Sequence, residues 1–313
     1  MSTSHAPAPF LIVASGASRL ADPARRDALV AATAAAVEAR TGLAPVACVT
    51  TSAAEGRATA ERAISAGAEL VVVVGGDGSV RSAAALLAGT GIALGIVPGG
   101  TGNLLAGALG IPRRPGPAAA ALASARERPI DMARATVGDR ATSRMPFLVA
   151  AGVGFDARVM AATTDRRKRS LGIGAYFATA VAVAARMRPF AVRLVVDGVV
   201  HETDALAVLV ANTGELIPGL VRPRLPLIPD DGLLDVLVAR GRGAVGGSRA
   251  AVELLLGRGV HTAVGPYAAR MAARHVEIEA AAGEPVEVDG DVVGAGRLVA
   301  EIAPGSLRVL VPA

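Results

Sequence analysis

Residues 71–80 read Val71-Val72-Val73-Val74-Gly75-Gly76-Asp77-Gly78-Ser79-Val80. Four β-branched residues with no polar alternation predict a strand covered on both faces, the kind found in parallel sheets. The glycines predict a sharp turn, and VRSAAALLAG after them predicts a helix that Ser79 is placed to cap. A strand that ends in glycines and opens a helix puts backbone N–H groups and the positive helix end where an anion can lie. The purely structural alternative is a tight turn with Asp77 as the cap.

The same texture extends on both sides. Residues 9–14 (PFLIVA) predict a first strand, 24–40 a helix, 45–50 (PVACVT) a second strand and about 54–66 a second helix. After the opening stretch, ALGIV predicts a further buried strand that runs into Pro98-Gly99-Gly100-Thr101-Gly102-Asn103 and then another helix start. The first part of the chain therefore alternates as α/β units. Two glycine turns follow two parallel strands, so both emerge on the sheet edge where such folds bind ligands. Neither turn has the P-loop or dinucleotide fingerprint, which excludes those two families.

From Arg134 onward the pattern changes to short apolar runs bounded by turn residues: MPFLVAAGV, FAVRLVVDGVV, ALAVLVANTG, LLDVLVAR, HVEIEA, PVEVDGDVV and LRVLVP. These predict antiparallel β-structure, interrupted by a helix near 172–187 and one or two helices within 243–271.

The composition bounds the function. With 313 residues, 52% hydrophobic and 19% charged, the chain is globular rather than disordered and long enough for two domains. The net charge of +5 is densest at Arg166-Arg167-Lys168-Arg169, a run suited to phosphates or an anionic membrane surface, or else a solvated loop. Two Tyr, five Phe and no Trp give little to stack on bases, so nucleic acid is not an expected partner. Cys48 is the single cysteine, which rules out a disulfide within the chain, predicts a buried structural thiol and fits a reducing cytoplasm. The N-terminus has no charged n-region before its short apolar run, so no signal peptide is expected. Ser170–Ala185 is the longest uncharged segment and falls short of the roughly 20 residues that cross a bilayer, which predicts a buried or membrane-touching helix. His5, His201, His261 and His275 lack metal-ligand spacing, and no Ser-His-Asp arrangement is visible.

The pair VVGGDGS and VPGGTGN resembles the diacylglycerol kinase catalytic domain family, which includes sphingosine and ceramide kinases and bacterial lipid kinases. The likeness continues in order through PIDMARA (129–135), AGVGFDARV (151–159), the GIGAYF segment, LIPDDGLLDV (227–236) and VEVDGDVVG (286–294), and so covers nearly the whole chain. It implies an α/β nucleotide domain with a parallel sheet at 8–131, rejoined by a strand at about 305–313, and a mainly antiparallel β-sandwich domain at 132–304. It also implies phosphorylation of a lipid hydroxyl by ATP with Mg²⁺ in the cleft between the domains.

By that resemblance Gly75, Gly76, Asp77, Gly78 and Ser79 wrap the ATP phosphates, Gly100, Thr101 and Asn103 close the site, and Thr51 makes a further nucleotide contact. Asp289 and Asp291 stand where the family has Asp-Gly-Glu. Either is a candidate to accept the hydroxyl proton, with Asp291 ahead, although VEVDGDV in isolation is an ordinary hairpin signal. Asp231 with the carbonyls of Ile228 and Leu233 resembles the family's structural Mg²⁺ loop, and the all-oxygen set suits that ion. Two departures stand out. Val13-Ala14-Ser15-Gly16-Ala17-Ser18 replaces the usual Asn-Pro-x-Ser-Gly turn and its lysine, and Leu104 follows Asn103 where an aspartate is common, leaving Asp131 to serve that network.

The implied acceptor is a lipid alcohol. The basic run, the apolar helix and the apolar β domain fit peripheral contact with the inner face of a membrane, and an edge strand invites a homodimer. An NAD-kinase-like enzyme shares the GGDG turn, and a non-catalytic nucleotide- or lipid-binding regulator would tolerate the changed acids. These are the competing readings.

Overall fold

The computed structural model describes residues 7–138, 144–154, 158, 188–213, 228–242, 245–247, 249–250, 253, 262–281 and 283–313. The basic run at 166–169 and the helix expected at 172–187 lie outside the described residues. The chain forms two compact units, Met1–Ile130 with Gly305–Ala313, and Asp131–Pro304.

The first unit alternates strands and helices: β1 (Phe10–Ala14), α1 (Pro23–Thr41), β2 (Val46–Thr50), α2 (Ala53–Ser65), β3 (Leu70–Gly75), α3 (Asp77–Leu87), β4 (Ala93–Pro98), α4 (Leu104–Ala108) and α5 (Pro115–Ala121). Local chemistry sets the helix ends. Asp22 accepts from the Arg25 N–H, Pro23 occupies the first turn, and Gly42 ends α1 at φ 74°. Ser52 caps α2 by accepting from the Glu55 N–H, while the Glu55 carboxylate reaches back to the Thr51 N–H at 2.7 Å.

The strands pair in parallel in the order β2-β1-β3-β4. The end of a long strand, Arg297–Val311, adds beside β4 through Arg308↔Ala93 and Val309↔Leu94. β3 and β4 are buried along their whole length, as a two-faced strand must be. Cys48 departs from expectation: it is only half-buried, because β2 is the outermost strand and exposes Val46 and Val49 beside it. Ser79 does not cap α3. The helix starts earlier, at Asp77, with Gly76 as N-cap, because the two glycines complete the turn before the aspartate.

The second unit is entered by β5 (Arg126–Val137), which begins in the first. It continues with β6 (Arg144–Phe147), β7 (Ala150–Gly154), β8 (Phe190–Val196), β9 (Val199–Ala205), β10 (Ala207–Ala211), β11 (Leu234–Ala239), β12 (Thr262–Val264), β13 (Ala268–Ala273), β14 (His275–Ala280), β15 (Pro285–Val288), β16 (Asp291–Ala295) and β17 (Arg297–Val311). The start of β17 pairs with β14, followed by β8 and β9, all antiparallel. A second antiparallel sheet runs β12-β13-β11-β10-β7-β15-β16. The sandwich core takes alternate residues from both, with Val192, Leu194, Val276, Ile278 and Leu298 meeting Val153, Val208, Val236, Val238 and Val288.

Two strand readings need correction. MPFLVAAGV is two strands, because the chain leaves β6, paired with β5, and enters β7 in the other sheet across Leu148-Val149. The segment 243–271 is not helical to its end: β12 and most of β13 lie there. The AARMAA run has helical composition, but pairing along the whole of β11 overrides that weak preference.

Candidate functional site

In the first unit, β3 and β4 deliver their glycine turns to one edge of the sheet, in register to Gly75↔Pro98. The turns touch backbone to backbone. A Cβ on Gly100 would stand 2.7 Å from the Gly76 Cα, and one on Gly99 would meet the Gly75 Cα at 3.3 Å and Leu20 at 3.1 Å. Gly76 is thus required by the neighbouring turn, where a Cβ would meet the Gly100 Cα at 3.3 Å, and Gly75 by its own helix, where a Cβ would meet the Ser79 Cβ at 2.9 Å. Gly78 is the exception: a Cβ there would meet nothing within 4 Å, so the first turn of α3 opens into free space at that residue.

Asp77 joins the turns. Its carboxylate accepts from the Asn103 N–H at 2.7 Å and the Leu104 N–H at 2.8 Å, and Gly102 leaves room for it. Burial raises the Asp77 carboxyl above its ordinary pKa of 3.8, while the N–H groups of Leu104 and Asn103 pull it back. Asn103, in the left-handed region at φ 50°, closes its own turn: Oδ1 accepts from the Gly100 N–H at 3.1 Å and Nδ2 donates to the Gly100 carbonyl at 2.8 Å. Asp77 and Asn103 thus hold the two glycine turns in shape. Thr51 lies just past the end of β2, and its hydroxyl donates to the Glu55 carboxylate at 3.0 Å.

One first-unit residue was not foreseen. The turn after β1 brings the Ser18 hydroxyl to 3.3 Å from the Thr101 hydroxyl, and the Arg19 N–H donates to the Gly99 carbonyl. The stretch that replaces the usual Asn-Pro turn thus still closes on the second glycine turn.

In the second unit, Asp289 and Gly290 take φ 47° and 84° at the tip of the β15–β16 hairpin, as a tight primed turn requires. The Asp289 carboxylate accepts from three backbone N–H groups, those of Leu148 (3.0 Å), Val149 (2.9 Å) and Ala150 (3.2 Å). Asp291, the first residue of β16, is exposed. Glu287, which the sequence reading passed over, is buried beneath the turn and accepts from the Gly290 N–H at 2.8 Å.

The metal-loop candidates lie nearby in the chain fold of this unit. Asp231 Oδ1 accepts from the Leu233 N–H at 3.0 Å. The buried Asp131 accepts from the Gly232 N–H at 2.7 Å, and its own N–H donates to the Pro229 carbonyl. Among the described residues no three His, Cys, Asp or Glu side chains cluster as a metal-binding set.

The family model described as the diacylglycerol kinase catalytic domain matches residues 26–135, and that of the YegS C-terminal NAD kinase beta sandwich-like domain matches 149–311. The chain belongs to the diacylglycerol kinase and YegS-like family. A Pseudomonas aeruginosa protein named "Probable lipid kinase YegS-like" is 34% identical over 267 residues, 85% of this chain and 84% of that one. The family also includes a Mycobacterium tuberculosis protein named diacylglycerol kinase, 33% identical over 267 residues, 80% of this chain and 79% of its own. An uncharacterized protein of Synechocystis is 26% identical over 247 residues, and the match spans 79% of this chain but only 55% of that longer one. In fold, the crystal structure of a diacylglycerol kinase from Bacillus anthracis aligns at TM-score 0.71 and 21% identity over 97% of each chain.

Proposed function

We propose that this protein is an ATP- and Mg²⁺-dependent lipid kinase that transfers the γ-phosphoryl group to the hydroxyl of a diacylglycerol-like lipid alcohol. The observation that carries the reading is the pair of interlocked glycine turns, with the first turn of α3 open at Gly78. A polyphosphate fits there: it needs backbone N–H donors, the positive end of a helix and no side chain in its path. The relatives named as lipid and diacylglycerol kinases support the choice of acceptor.

For Mg²⁺ the donor chemistry fits in kind. Asp231 keeps Oδ2 as a hard oxygen donor, and the carbonyls of Ile228 and Leu233 would complete an all-oxygen set. When bound at the phosphates, Mg²⁺ would neutralise charge on the transferred group. The protein's remaining tasks are alignment and proton removal, and no covalent intermediate is needed. Of the two candidate bases, Asp291 is the preferred one in this reading. Asp289 is committed to three backbone N–H groups and anchors its turn, whereas exposed Asp291 is assigned the proton of the acceptor hydroxyl.

The test is transfer of labelled γ-phosphate from ATP into mixed-micelle lipids by the wild type, Asp291→Asn and Asp289→Asn. The expected result is labelled lipid from the wild type, loss of turnover in Asp291→Asn with its thermal stability kept, and a fall in stability for Asp289→Asn. ATP binding without product across a broad lipid panel would instead make the chain a non-catalytic binder.

A further inference from the structure

Asn212, the residue that follows β10, is buried to 2% exposure, and both hydrogens of its amide nitrogen are used. Nδ2 donates to the Asp131 carbonyl at 3.0 Å and to the Leu148 carbonyl at 3.1 Å. A flipped amide would set oxygen against those two carbonyls, so the orientation is determined by its partners. The price of this arrangement is visible at its other end, where Oδ1 is buried with no hydrogen-bond partner among the described residues, as is the hydroxyl of Thr213 next to it. A leucine of similar volume would avoid the orphaned oxygen and withdraw the amide donor from both carbonyls.

The strip Leu148-Val149-Ala150 lies between Asn212 and Asp289. Its three N–H groups go to the Asp289 carboxylate. Its carbonyls go to the Asn212 Nδ2 (from Leu148), to the N–H groups of Asn212 and Thr213 (from Val149), and to the Asp289 N–H (from Ala150). Asp131 in turn holds Gly232 in the loop that carries Asp231. One amide therefore ties together three segments that bear the acids: β5 at Asp131, the Asp289–Asp291 turn and, through Asp131, the 228–233 loop.

We propose that Asn212 is a positioning residue of the kinase reaction, a brace that sets the spacing between Asp131 and the Asp289–Asp291 turn. The proposal rests on the lipid kinase reading, since it gives that spacing a catalytic purpose. Asn212 is not assigned any contact with substrate.

The experiment compares wild type, Asn212→Leu and Thr213→Val by steady-state kinetics in ATP and in mixed-micelle lipid, and by hydrogen exchange at the amides of residues 148–150. Misplacement of reacting groups by about 1 Å costs about 100-fold in rate. Asn212→Leu is therefore expected to lower kcat about 100-fold with the KM for ATP unchanged, and to speed exchange at 148–150 while other strands keep their protection. Thr213→Val removes only a hydroxyl with no partner among the described residues and is expected to match the wild type in both readouts. Wild-type kcat in Asn212→Leu, unchanged exchange at 148–150, or exchange raised equally throughout the second unit would each overturn the proposal. If the wild type phosphorylates no lipid, the functional reading falls, and the exchange readout alone judges the brace: local acceleration supports it and unchanged protection refutes it.

Discussion

At the scale of single residues, glycines that look alike in the sequence do different work. Gly100 packs against the Gly76 Cα, so Gly100→Ala must displace backbone and is expected to cost about 1–3 kcal/mol, read from the urea midpoint. Gly78 meets nothing, and its backbone is outside the left-handed region. Gly78→Ala is accordingly expected to stabilise the fold by about 0.4–1 kcal/mol while weakening ATP binding in a calorimetric titration. A variant that gains stability and loses nucleotide would mark Gly78 as the point where a ligand approaches. Asp77 adds a pH signature. Its folded pKa is raised, so its contribution is fully present below about 3.8 and is lost as pH rises through the folded value. The wild type should therefore lose stability relative to Asp77→Asn as pH rises from about 3 to about 7, measured by thermal unfolding at each pH.

At the scale of elements, the α/β half was legible because its signals are local: unbroken apolar runs for β3 and β4 and glycines at the strand ends. The errors came where partners are distant. β13 reads as helix until β11 is beside it, and the sheet change at Leu148-Val149 leaves no mark in an apolar run. The site followed the same division. The two turns could be found from glycine patterns, but Asn212 is 81 residues from Asp131, and Glu287 is an ordinary alternating residue of a strand. Pairing of β11 with β13 also buries an ion pair, with Arg270 Nε 2.6 Å from Asp235 Oδ1. Arg270→Met alone takes the paired cation away from a buried carboxylate and is expected to cost about 3–5 kcal/mol in denaturant unfolding. The double variant Asp235→Leu/Arg270→Met should recover most of that loss, because an apolar pair of similar volume avoids the desolvation penalty.

At the scale of the whole molecule, the first unit is made from two separated pieces of chain. Leu307, Val309, Leu310 and Val311 are each no more than 2% exposed. Full burial of such side chains is worth about 1.5–3 kcal/mol apiece, and their sum rivals the about 5–15 kcal/mol that stabilises a whole domain. A chain ending at Pro304 is therefore expected to lose the protease resistance and circular dichroism of the α/β unit, whereas the second unit, contiguous from Asp131 to Pro304, retains its own.

That arrangement also orders events during synthesis. The residues that leave the ribosome first belong to the unit that is completed last, since the space beside β4 stays empty until Arg308 and Val309 emerge. The earlier-made strands and helices wait with one flank of their sheet open, and both units then close on one strand, β17, whose first part pairs with β14 and whose end pairs with β4.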